Sequence, residues 1–226
     1  MVVCVAQAFF ITLVKIMKER PILFSADMVN AILAGNKTQT RRIIKPQPNG
    51  TWARDENTGC HKMYQLNENI NGILWWNIGG INGLPKCKYG QIGDHLWVRE
   101  TFHPVFSQEP TYNNGMPIEI DYAATYKAGD RLVTPKWKPS IHMPRHASRI
   151  LLEITDIRVE HLNDISENDA IAEGIEVDEI GHAVRKDDDI AWGSAKSAYA
   201  ELWERINGEC SWSQNPFVWV ISFKRI

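Results

Sequence analysis

The stretch RPILFSADMVNAILAGNKTQTRR, residues 20–42, sets the fold class. Residues 21–24, Pro-Ile-Leu-Phe, read as a short strand. Ser25 then precedes Met28, Val29, Ile32 and Leu33, which share one face at helical spacing. A serine hydroxyl there can accept from an orphan amide of the first helical turn. Gly35 stands where a helix ends in a left-handed residue. From Lys37 to Ile44 polar and β-branched residues intermix, which predicts a strand leaving the helix until Pro46 and Pro48 stop it.

The same reasoning extends along the chain. Gly93-Asp94 is a turn leading into a strand over 95–101, with His95, Trp97 and Arg99 on one face and Leu96 and Val98 on the other. Ile150, Leu152 and Ile154 alternate, and that strand continues to Val159. Ser166-Glu-Asn-Asp169 opens a helix running to Gly174, a capping box with Asp in place of Glu. An acidic loop follows over 176–193. Tyr199, Leu202, Trp203 and Ile206 mark an amphipathic helix ending at Asn207-Gly208. The last segment, Phe217–Lys224, is apolar on both faces and predicts a central strand. Residues 46–92 and 103–147 carry no sustained period, apart from a hairpin around Ile73–Trp76. The expected architecture is α+β, with a small sheet or barrel at its core and long inserted loops.

Length and composition bound the function. At 226 residues, 44% hydrophobic and 23% charged, the chain suits one globular core and is neither disordered, collagen-like nor a polytopic membrane protein. Residues 17–226 are read as one domain with insertions at about 46–88 and 103–137. Residues 1–16 are read as an upstream extension before Met17, because the apolar run VVCVAQAFFITLV is shorter than the ~20 residues that span a bilayer and lacks a basic leader. A membrane anchor is the rival reading of that run. Cys4, Cys60, Cys87 and Cys210 form no C-x-x-C pair, so reduced thiols and a cytoplasmic setting fit. A metal site from Cys60, His61 and Cys87 is the weaker alternative. No metal or cofactor is expected, since P-loop, Rossmann, H-E-x-x-H and nucleophile-elbow motifs are missing from the sequence.

Net charge is −2, but its distribution is uneven. Residues 28–54 carry five bases and no acid, residues 127–149 six bases and one acid, and residues 153–189 thirteen acids and three bases. Folded together, the two basic segments would attract phosphate. The alternative is charge scattered over a solvated surface. The densest chemical cluster is Gly35-Asn-Lys37-Thr38-Gln-Thr40-Arg41-Arg42, with cations and hydroxyls directly after a helix. Amide hydrolysis needs a nucleophile, a proton acceptor and donor, and oxyanion stabilisation. Thr40 could attack with a desolvated Lys37 as its base, and Glu173 could orient or protonate a leaving amine. A strict strand puts Lys37 and Thr40 on opposite faces, so this reading requires a bend between them.

Four stretches carry a family resemblance: RPILFSADMVNAILAGNKTQTRR (20–42), YGQIGDHLWVRETF (89–102), KPSIHMPRHASRILLEITDIRVEHLNDISENDAIAEGI (138–175) and ELWERINGECSWSQNPFVWVISFKRI (201–226). In this order, over 101 of 226 residues, the chain resembles the ASCH family, relatives of the PUA-like RNA-binding barrels, and most of all its longer phage and prophage members. The resemblance implies a small β-barrel with flanking helices and a cleft that takes RNA or a modified nucleoside. It is more distantly similar to small bacterial hydrolases that deacetylate N4-acetylcytidine. Their A-G-x-K-T-x-T segment corresponds to Ala34–Thr40, which assigns their catalytic lysine and threonine to Lys37 and Thr40, and by a looser match their glutamate to Glu173. This chain is about twice their length, with the excess between the motifs. As a binding module, Thr38, Arg41, Arg42, Arg99 and Arg145 are expected to hold the nucleic acid, with Trp97 stacking on an unpaired base. The alternatives are an amidohydrolase acting on an N4-acylated cytidine-type nucleoside, and a phage assembly or host-interaction protein that uses the tryptophans as an interface.

Overall fold

The computed structural model describes residues 17–45, 47, 87–106, 117, 119–127, 135–184 and 193–226, with the backbone of four further strands at 51–54, 61–66, 73–76 and 191–192. The described residues begin with β1 (Glu19–Leu23), α1 (Ala26–Leu33) and β2 (Gln39–Ile43), in the order expected from residues 20–42. Ser25 caps α1 by accepting from the Met28 amide, and Gly35 follows the helix at φ +83°. Then come β3 (Thr51–Arg54), β4 (His61–Leu66), β5 (Ile73–Trp76), β6 (His95–Arg99), β7 (Phe102–Val105) and β8 (Glu119–Tyr122). The last part holds β9 (Leu151–His161), α2 (Glu167–Ala172), β10 (Ala183–Val184), β11 (Ala191–Trp192), α3 (Ala195–Asn207) and β12 (Phe217–Arg225).

The main sheet has five strands in the order β1-β6-β9-β12-β2. β1 runs parallel to β6, and the other neighbours are antiparallel. β12 is apolar on both faces because each face meets a different core. Phe217, Trp219, Ile221 and Phe223 join Ile22, Val29, Leu96 and Ile154, whereas Val218 and Val220 join Leu162, Ile165, Tyr199 and Trp203 under α2 and α3. A register shift opposite Ser222 and Phe223 places one extra residue, Thr155, in β9, so Ile154 and Leu152 face the same core as Ile157 and Val159. In β6, Leu96 and Val98 are buried while His95, Trp97 and Arg99 lie half-buried on the other face.

The backbone ladder does not close the expected barrel, because the edge strands β1 and β2 are not paired. A side chain spans the gap instead. Arg42 Nη2 donates to the Leu23 carbonyl at 2.7 Å, and the guanidinium lies 5.3 Å from the centre of the Phe24 ring. The sheet therefore coils far enough for its two edges to come within reach of one arginine.

The intervening segments contribute further strands. β3, β4 and β5 form an antiparallel meander, one strand more than a single hairpin, and their aromatic content favours strand. β7 and β8 form a hairpin within the second segment, and β10 pairs with β11 inside the acidic loop. No helix among the described residues is long and apolar enough to cross a membrane. The run before Met17 lies outside the described residues.

Candidate functional site

The end of α1 and the end of α2 meet beside β2. After α1, the amides of Asn36 and Lys37 both donate to the Ala31 carbonyl, which turns the chain back toward the sheet. Lys37 then bridges Glu173, the C-terminal cap of α2, and the Thr38 amide donates to Ala172 O at 2.9 Å. Gly174 makes this approach possible. Its φ is +98°, and a Cβ there would stand 3.1 Å from Ala31 Cβ and 3.3 Å from Lys37 Cβ.

Lys37 Nζ donates to Glu173 Oε2 at 2.7 Å, to Glu173 O at 2.7 Å and to Gln39 O at 2.8 Å. The ammonium has three protons, so its donors are all used. The pair is almost dry, with side-chain exposures of 0% and 3%. Burial pushes the Lys37 pKa below its ordinary value, against the opposing pull of Glu173. Tyr199 donates to Glu173 Oε1 at 3.4 Å, and burial, reinforced by the Glu173 charge, pushes its phenol well up.

Arg41 completes the cluster from the same face of β2 as Gln39. Its guanidinium has no exposure and reaches Gln39 Oε1 at 2.6 Å, Glu160 Oε2 at 3.1 Å, and Asp169 Oδ2 and Glu173 Oε1 at 3.4 Å. Arg158 adds a second guanidinium, 3.1 Å from Asp169 and beside Glu160. Partial burial would raise the Asp169 carboxyl, but Arg41 and Arg158, with Ser166 and Gln39, hold it below its ordinary value. Buried charges this closely paired are strongly interdependent, because removing one leaves its partners uncompensated.

Of the three residues assigned to hydrolysis, Lys37 and Glu173 are brought together across 136 positions. Thr40 is buried but is not an acceptor of Lys37. It stands across from Ile221 of the first core, whereas Arg41 stands across from Val220 of the second. The bend required between Lys37 and Thr40 comes before β2, yet it directs Lys37 to Gln39 O and Glu173.

The residues expected to hold nucleic acid are divided among separate places. Thr38 is exposed, and its carbonyl accepts from the Phe223 amide. Arg41, contrary to the expectation of a phosphate-facing side chain, is enclosed by Glu160, Asp169 and Glu173. Arg42 lies at the seam of the sheet. Trp97 and Arg99 stack at 5.4 Å on the outer face of β6, where Arg99 also donates to the Ile141 carbonyl. Arg145 pairs with Glu19 at 2.6 Å on the surface. The cluster partners missed in sequence were Gln39, Arg158, Glu160, Asp169 and Tyr199. The i, i+2 spacing of Gln39 with Arg41, and of Arg158 with Glu160, was the available signal, because each pair shares a strand face.

A groove of about 250 Å³ lies beside this cluster, between Asp27, Met28 and Ala31 of α1 and Ala198, Glu201 and Leu202 of α3, with Glu173 and Gly174 among its lining. No group of His, Cys, Asp and Glu suited to a metal occurs among the described residues. Cys87 and Cys210 are free thiols, while the Cys60 and His61 side chains lie outside the described residues. Comparison with family models, curated proteins and solved structures returned no match.

Proposed function

We propose that this chain is an ASCH-type, PUA-like protein that takes a nucleobase, free or within RNA, in the groove beside Glu173. The observation that carries the reading is the direct contact of Lys37 with Glu173. These residues were singled out by the family resemblance, and they meet beside a groove of base-sized volume. A five-stranded sheet whose edges approach at Arg42 also supports the small-barrel resemblance. Glu173 Oε2 is occupied by Lys37, whereas the contacts to Oε1 are long, at 3.4 Å. A carboxylate has about four lone-pair directions, which leaves Oε1 able to accept one short bond from an exocyclic amine. Asp27, Glu176, Glu201 and Arg205 around the groove suit an amino-bearing base edge better than a phosphate.

Calorimetric titration with cytidine and N4-acetylcytidine tests this reading. The wild type should bind one of them, and Glu173→Gln should weaken that binding about tenfold, the loss of roughly one charge-assisted hydrogen bond. Absence of nucleoside binding in the wild type rejects it. The second reading, hydrolysis of the N4-acyl group, is favoured by the lowered Lys37 pKa, which suits a proton acceptor. It requires Lys37 to leave Gln39 O and Thr40 to reach the groove. Mass spectrometry of nucleosides after incubation distinguishes the two: acyl loss that disappears in Lys37→Ala supports hydrolysis, and unchanged nucleosides support binding alone.

A further inference from the structure

The basic segment over 127–149 borders a second concavity, larger than the Glu173 groove at about 590 Å³ and within the ~300–1,000 Å³ typical of ligand sites. One wall is apolar. β7 and β8 contribute Phe102, Pro104 and Ile120, with Phe106 at the rim, 53% exposed. The other wall carries Lys138, His142 and His146. The strand alternation that turns Ile120 inward turns Glu119 and Asp121 to the opposite side of the hairpin.

The groove is built rather than incidental. Phe102 and Lys138 exchange backbone hydrogen bonds of 3.2 and 2.8 Å, which fixes the two walls against each other. Phe102, Met143 and Ala147 form a small core beneath, and Tyr122 donates to Ala147 O at 2.9 Å. Arg145 and Arg149 nearby are paired with Glu19 and Glu100. No side-chain hydrogen bond or ion pair engages Lys138, His142 or His146 among the described residues.

We propose that this groove binds single-stranded nucleic acid, with a base against the Phe102–Phe106 wall and phosphates along Lys138, His142 and His146. An unpaired base offers a π-face to aromatic and proline surfaces, and its phosphate accepts from ammonium and imidazole N–H groups on the facing wall. A duplex keeps its base faces inside its own stack, and a bilayer surface is too flat to enter a concavity. An acidic peptide would satisfy the cations but leave the apolar wall unfilled. This inference goes beyond the nucleobase groove at Glu173 and does not depend on it.

The test uses the full chain and the anisotropy of a fluorescein-labelled oligouridylate of about ten nucleotides at several salt concentrations. The variant combining Lys138→Ala, His142→Ala and His146→Ala should bind at least about tenfold more weakly, with a log–log salt slope shallower by roughly 0.7 for each phosphate no longer neutralised. Phe106→Ala should weaken binding about tenfold with the salt slope unchanged, since it removes stacking and no charge. Lys138, His142, His146 and Phe106 are exposed, so circular dichroism should show an intact fold in both variants. Glu173→Gln should retain wild-type strand binding while weakening nucleoside binding about tenfold, which separates this groove from the other. Wild-type affinity in the triple variant overturns the proposal, as does a failure of the wild type to bind the strand. Equal affinity for a duplex, or equal displacement by polyglutamate, overturns it as well.

Discussion

Arg41 is the residue on which the interior charge cluster turns. Its guanidinium joins β2 to Glu160 of β9 and to Asp169 and Glu173 at the two ends of α2. Arg41→Ala leaves those carboxylates facing one another without that cation. The expected cost is about 3–5 kcal/mol, a large part of the ~5–15 kcal/mol that holds a typical domain folded. Arg41→Lys should recover only part of it, because an ammonium cannot fork between acceptors as a guanidinium does. Urea unfolding midpoints measure both variants, and a midpoint for Arg41→Ala equal to wild type excludes the hub role. Asp169 supplies a pH signature of the same cluster. Its native carboxyl is held below its ordinary 3.8, so over the window between the two values the unfolded chain binds more protons than the folded one. Stability from that charge is complete above 3.8 and is lost as pH falls through the lower native value. Asp169→Asn should therefore flatten the acid limb of the stability profile below pH ~4. An equally steep limb in the variant assigns the acid sensitivity to other groups.

At the scale of elements, the site depends on where two short helices stop. α2 is six residues long, capped by the Ser166 hydroxyl on the Asp169 amide at 3.1 Å, and ends at Glu173-Gly174. Gly174→Ala imposes a side chain on a left-handed residue and places its Cβ against Ala31 and Lys37. The expected loss is about 1–2 kcal/mol from the backbone, with further loss if Ala31 cannot yield. Because the displaced groups are the ends of α1 and α2, the nucleoside binding proposed for the groove should weaken with stability. Thermal unfolding together with calorimetry checks this, and a variant as stable as wild type shows that the two helix ends can part freely. These elements were largely legible from local chemistry. Ser25, Gly35, Ser166 and Gly208 mark helix ends through bonds made within a few residues, and the alternation of Leu96 and Val98 needs only one buried face. The meander of β3, β4 and β5 was less legible, because separate strands become recognisable only when they pair.

Across the whole molecule, Arg42 ties the two edges of the sheet together at its seam. Arg42 joins the two ends of a five-stranded order through Leu23 O and the Phe24 ring. Arg42→Ala should cost about 1–2 kcal/mol, from a hydrogen bond to a charged donor and a ring contact. The effect should be concentrated at the edge. Amide exchange should accelerate in β1 and β2 more than in β9 and β12, which have neighbours on both sides. Uniform acceleration across the sheet indicates that Arg42 contributes global stability rather than a local closure.

The amino-acid sequence alone determined the mixed class, the helix caps, the inward faces of β6 and β12, and the importance of the segment around Lys37. Each follows from periodicity or from bonds to nearby backbone, which do not require a distant partner. The tertiary structure decided that Lys37 meets Glu173 rather than Thr40, that Arg41 is enclosed while Arg42 lies at the seam, and that Arg145 is paired while Lys138 has no side-chain partner among the described residues. Those outcomes depend on strand order and on which side of β2 receives α2. A charged side chain has no preferred partner until the fold sets its distance, its burial and the opposite charges within reach.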